Sequence, residues 1–122
     1  VADYDADGRV DLVVTQNSGA TKLYHNERAR PGLRVRLKGD GGNPACIGAV
    51  LQLSSDQRKG YSREIHAGAG YWSMNGAVQV MTLSEVPNRI TVRWPGGKTT
   101  VTPVKAGSTE MTLSSDGKEV MR

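Results

Sequence analysis

Apolar and polar residues alternate in short runs along this chain, and no window recurs at helical spacing over ten or more positions. The clearest run is Leu33–Lys38, LRVRLK, in which Leu33, Val35 and Leu37 fall on one side and Arg34, Arg36 and Lys38 on the other. Successive side chains of a strand point to opposite faces, so this run predicts a half-buried strand with one face in water. Further strands are expected at residues 10–15, 21–25, 47–53, 61–66, 77–83, 89–94 and 98–104, with a weaker closing pair at 109–113 and 118–121. Pro95-Gly96-Gly97 sits between two of these runs and reads as a hairpin turn. Short strands at near-regular spacing with turn residues between them predict an all-β fold: an antiparallel β-sandwich or small barrel, preceded by an N-terminal β-hairpin.

Composition refines this picture without changing it. A chain of 122 residues buries one modest core, and its 15 Gly and 5 Pro supply the frequent turns that many short strands need. No apolar run is long enough for a helical membrane span, so no membrane insertion is expected. The chain opens on Val1 without a leader pattern and is expected to be a piece of a longer chain. Its net charge of +4 is unevenly placed. Residues 1–30 carry four Lys/Arg against five Asp/Glu, and residues 31–104 carry nine against four. The break falls in ERARPG, residues 27–32, and suggests two units: an acidic hairpin at 1–28 and a basic β domain at 29–122. Cys46 is the single cysteine, which excludes an internal disulfide and a Cys-based metal site. Between Ala45 and Ile47 it reads as a small buried hydrophobe.

The sharpest chemical motif is DYDADGRVD, residues 3–11. Asp3, Asp5, Asp7 and Asp11 occupy loop positions 1, 3, 5 and 9, with Gly8 at position 6. Calcium is a hard cation that takes six to eight oxygens, and alternating Asp in a tight loop turns carboxylates inward. Arg9, at position 7, would offer its backbone carbonyl while its side chain points away. Carboxylates this close repel one another without a cation. The loop is not an EF-hand: position 12 is Val14 where that motif has a bidentate Glu, and the following VDLVVTQN is strand-like rather than helical.

Residues 3–17, DYDADGRVDLVVTQN, resemble an FG-GAP repeat, the blade unit of integrin-type propellers; the resemblance spans about residues 1–26. GGNPACIGAVLQL, REIHAGAGYWSMNG and ITVRWPGGK, within residues 32–104, resemble the ASPIC/UnbV domain. In that second family the shared motif positions fall on Gly42, Asn43, Pro44, Ile47 and Gly48, on Ala67, Gly68, Gly70 and Tyr71, and on Trp94 and Pro95. The resemblances imply Ca²⁺ held by Asp3, Asp5, Asp7, Asp11 and the Arg9 backbone, with further FG-GAP repeats in a parent chain. They also imply secretion to an extracellular or periplasmic setting. One such loop is not a propeller's worth, since a single blade piece cannot close a propeller.

Outside the acidic loop the candidates are weaker. HAGAGYW, residues 66–72, lacks the spacing of a phosphate-binding glycine loop and reads as a tight turn. If Tyr71 and Trp72 lie on a strand, one ring is buried and the other exposed; beside Arg63 and His66 an exposed ring suits contact with sugar or peptide. Trp94 reads as a core anchor. The strip Arg34, Arg36 and Lys38 is too small for a nucleic-acid surface, and none is expected as partner. No nucleophile elbow or carboxylate pair outside the loop supports catalysis. The expected function is a non-catalytic, calcium-binding module for adhesion or for recognition of protein or carbohydrate. The alternatives are an accessory domain of a larger secreted enzyme and a structural cap on a β-propeller.

Overall fold

The computed structural model describes residues 1–116 and 118–120. Among them there is no helix, and nine strands form three sheets, none closed into a barrel. β1 (Leu12–Gln16) and β2 (Gly19–Tyr24) make an antiparallel hairpin of their own. β3 (Leu33–Lys38) is the centre of a three-stranded sheet, between β6 (Val78–Met81) and β9 (Glu110–Ser114). β5 (Lys59–Glu64), β4 (Val50–Ser54), β7 (Arg89–Arg93) and β8 (Thr99–Pro103) form a four-stranded sheet in that order.

The alternation of LRVRLK carries straight into burial: Leu33, Val35 and Leu37 are 5%, 0% and 7% exposed. They meet Met111 and Leu113 of β9 within their own sheet, and Leu51, Leu53, Ile90 and Val92 of the facing sheet, in one continuous apolar cluster. Two sheets sharing one core make a β-sandwich. Burying side chains of this size contributes roughly 1.5–3 kcal/mol each, and this cluster is the main favourable term of the fold. Trp94 closes one end of the core, 3% exposed, with its indole N–H donating to Thr100 Oγ1 at 2.8 Å.

Three expectations change. The sandwich is not wholly antiparallel, because β3 and β9 pair in parallel from Arg34↔Glu110 to Lys38↔Ser114. The fourth strand starts at Val50 rather than at residue 47: Cys46 (φ 54°) and Gly48 (φ 86°) take left-handed conformations, which an extended strand does not allow. The closing strand reduces to an isolated bridge between Leu113 and Glu119, and Met121 lies outside the described residues. Among the described residues no helix is long and apolar enough to cross a membrane.

Candidate functional site

The acidic loop leads into β1 and is closed at its base by a two-bond bridge between Ala2 and Asp11 (3.2 and 2.8 Å). Gly8 makes the bend possible. Its φ of 83° disfavours any side chain, and an added Cβ would stand 3.0 Å from the Gly32 carbonyl oxygen. Its own carbonyl accepts the Gly32 N–H at 2.8 Å, which ties the loop to the start of β3.

Within the bend, backbone N–H groups point at the carboxylates. Asp3 accepts from the Asp7 and Gly8 N–H groups (3.1 and 3.0 Å). Asp11 accepts from those of Tyr4 and Asn26 (3.2 and 2.8 Å). Asp11 is 2% exposed and the Asp3 side chain 0%. One carboxylate oxygen from each of Asp3, Asp5 and Asp11 lies within 4.8 Å of the others. Calcium–oxygen bonds run about 2.3–2.6 Å, so oxygens on opposite sides of one ion stand about 5 Å apart. The donor chemistry and its spacing are compatible with such an ion.

The charges of this cluster are also balanced from within the chain. Arg34, on the outer face of β3, donates its Nε to Asp3 Oδ2 at 2.7 Å and pairs through its other arm with Glu110. Of the strip Arg34, Arg36 and Lys38, Arg34 is therefore an enclosed ion-pair residue rather than part of a water-facing basic surface. Arg9 departs from expectation too. Its guanidinium turns back onto Asp7 instead of pointing away, and its Nε reaches the Ala29 carbonyl at 2.8 Å. Partial desolvation pushes the Asp7 carboxyl up, but Arg9 and His25 outweigh it and hold the group below the usual carboxylate range. Asp7 thus belongs to a second group, with Asp5 and His25, whose Nε2 stands 3.1 Å from Asp5 and 3.5 Å from Asp7. From sequence, His25 reads as an ordinary surface or hydrogen-bonded histidine with no spaced metal-ligand partner. The hairpin register Leu12↔Tyr24 is the signal that would have found it, because it sets residue 25 beside the loop mouth.

The second candidate lies in the connection from β5 to β6. Tyr71, Trp72 and Met74 are 91%, 89% and 74% exposed. The turn is closed by the Ala69 N–H on the Ser73 carbonyl (3.0 Å), and Trp72 itself takes φ 54°, a conformation that costs a non-glycine residue about 1–3 kcal/mol. The two rings meet edge to face, centroids 5.9 Å apart. The expectation of one buried and one exposed ring is overturned, because the pair sits on a turn rather than on a strand. Arg63 is engaged elsewhere, donating to the Val80 carbonyl at 3.3 Å, whereas His66 is largely exposed, with its Nδ1 3.9 Å from Glu64.

Two remaining motif segments meet at the other end of the core. Asn43 braces its loop through paired bonds to the Ile47 backbone, both 2.9 Å. Asn43, Cys46, Trp94 and Pro95 share the walls of a cavity of about 80 Å³. Cys46 is 1% exposed, and burial, with Asp40 nearby, pushes its thiol up, which suits a packing role over a reactive one.

Fold and site together define a β-sandwich that carries an acidic loop and a presented aromatic turn. The family model for ASPIC and UnbV matches residues 39–120, and the chain belongs to that family. The match begins after β3 and runs past β9, so the acidic loop and the hairpin lie outside it. No curated protein and no solved structure matches the chain.

Proposed function

We propose that the chain is a non-catalytic recognition module of an extracellular or periplasmic protein. Its N-terminal loop is an FG-GAP-type calcium loop, and its Tyr71–Trp72 turn is the contact for a protein or carbohydrate partner. The observation that carries the reading is the near-complete exposure of two adjacent large aromatics on a strained, closed turn. Large rings are costly to leave in water, and they dominate recognition surfaces because they bring much area with few rotatable bonds. Calcium would be structural: Asp3, Asp5 and Asp11 would hold it at the root of β1, and Asp7 and the Arg9 carbonyl would complete the set once Asp7 leaves its pairing with Arg9 and His25. Millimolar calcium outside cells matches the weak affinities of extracellular calcium modules.

The hairpin supports one part of the cap reading. Leu12 and Tyr24, paired on one face, and Val13 and Leu23, paired on the other, are 45–51% exposed there, and neighbouring blades of a longer chain would cover them. A cap alone does not account for the aromatic turn, which belongs to the sandwich.

The test compares wild type with Trp72→Ala in partner retention on a protein and glycan array, with melting temperatures checked in parallel. Retention by wild type that Trp72→Ala loses at unchanged melting temperature supports the recognition module. Equal retention by both removes the aromatic turn as contact and leaves the cap.

A further inference from the structure

A cavity of about 920 Å³ opens at the end of the sandwich where the β4–β5 turn, the β6–β7 loop, the β8–β9 turn and the lead-in to β3 converge. Arg30, Arg58, Lys59, Tyr61, Ser84 and Thr109 stand on its walls. No carboxylate lines it among the described residues, and none of the three cations forms an ion pair with a described acid. Its floor is Leu33, Leu53 and Met81, only 5%, 1% and 5% exposed, and Pro31, Leu83 and Pro87 add apolar surface to the walls.

Local backbone structure builds these walls. In the β4–β5 pairing, Gln52 faces Ser62 and Ser54 faces Lys59. Leu53 alone therefore opposes both Gly60 and Tyr61, which is a β-bulge. Bulges re-aim side chains, and here Tyr61 stands 93% exposed at the rim. The turn before it is fixed by Ser55, whose N–H donates to the Arg58 carbonyl at 2.8 Å and whose hydroxyl oxygen accepts the Arg58 N–H at 3.0 Å. Arg58 then reaches across the mouth to Ser84 Oγ at 3.2 Å.

We propose that this cavity binds an acidic oligosaccharide, with the uronate carboxylates on Arg30, Arg58 and Lys59 and one sugar ring against Tyr61. Uncompensated cations favour anions, guanidinium groups match carboxylates in geometry, and wall hydroxyls suit sugar hydroxyls. An exposed phenol ring provides a flat apolar face for the C–H face of a sugar. The volume suits a few sugar units, within the usual 300–1,000 Å³ of ligand sites. The inference rests on the reading as a recognition module only in kind, since this cavity is separate from the Tyr71–Trp72 turn.

The experiment is calorimetric titration with tetragalacturonate at low and at moderate salt, with cellotetraose as neutral control and tetraglutamate as acidic peptide control. The expected result is saturable binding that weakens with salt and is at least about tenfold weaker in Arg58→Gln/Lys59→Gln and in Tyr61→Ala. Cellotetraose does not bind, and Trp72→Ala binds tetragalacturonate like wild type, so the two readings fail separately. All three substituted side chains are exposed, and melting curves verify that the variants fold. No binding by wild type, equal binding by the variants, or tetraglutamate bound as tightly would each overturn the proposal.

Discussion

Asp5 is the exposed member of the convergent trio, whereas Asp3 is half-buried and Asp11 buried. Its side chain accepts one backbone bond, from the Asp7 N–H at 3.3 Å, so removing it leaves the buried parts of the loop satisfied. Asp5→Ala therefore separates cation binding from folding better than a change at Asp3 or Asp11, each of which carries two backbone N–H groups. At about 10 mM calcium and a Kd near 10⁻⁴ M, linkage predicts about 2.7 kcal/mol of stabilisation. For a chain of this length that is a rise in melting temperature on the order of ten degrees over EDTA. The expected outcome in a thermal melt is that shift in wild type and its loss in Asp5→Ala. No shift in wild type would end the calcium reading of the loop while leaving the sandwich sites untouched.

At the scale of elements, each strand follows local pattern and the turns decide where it stops. The β7–β8 hairpin is the simplest case. Trp94 N–H donates to the Lys98 carbonyl at 2.7 Å, Gly97 N–H to the Trp94 carbonyl at 3.0 Å, and Gly96 and Gly97 have φ of 87° and 94°. A Cβ on Gly96 would meet nothing within 4 Å, so Gly96→Ala isolates backbone strain from crowding. The expected cost is about 1–2 kcal/mol, read as a lower urea midpoint at unchanged slope. A variant as stable as wild type would show that the turn tolerates a side chain in this conformation. Local legibility of this kind explains why Leu33–Lys38 and the Pro95-Gly96-Gly97 turn were readable from alternation and turn chemistry. The same logic explains the misses. The start of β4 depends on left-handed residues Cys46 and Gly48, and only the glycine is flagged by its type. The parallel β3–β9 pairing joins residues more than seventy positions apart, and no local periodicity encodes such a partner. Tyr71 and Trp72 were legible as candidates, but their joint exposure depends on the turn that holds them.

Across the whole molecule, the acidic loop and the sandwich are joined by a charge pair that spans thirty-one positions of sequence, Arg34 Nε to Asp3 Oδ2. Two units of opposite charge excess were legible in the composition, but this contact depends on the tertiary fold. Arg34 and Asp3 expose 13% and 0% of their side chains, so removing the cation strands a buried carboxylate. Losing one partner of such a pair typically costs about 3–5 kcal/mol. Arg34→Met keeps much of the aliphatic stem and deletes the charge, and in EDTA its stability should fall by roughly that amount, less whatever relaxation of the loop recovers. Calcium bound by Asp3 would supply the missing positive charge. If cation and guanidinium stabilise the same carboxylate, adding about 10 mM calcium should raise the melting temperature of Arg34→Met more than that of wild type. Equal increments would mean that Arg34 and the cation act independently. A loss that calcium does not change in Arg34→Met, against a calcium shift in wild type, would make Arg34 a requirement for the site rather than a substitute for its ion. These outcomes distinguish a loop whose order depends on external calcium from one that the sandwich holds in place through Arg34.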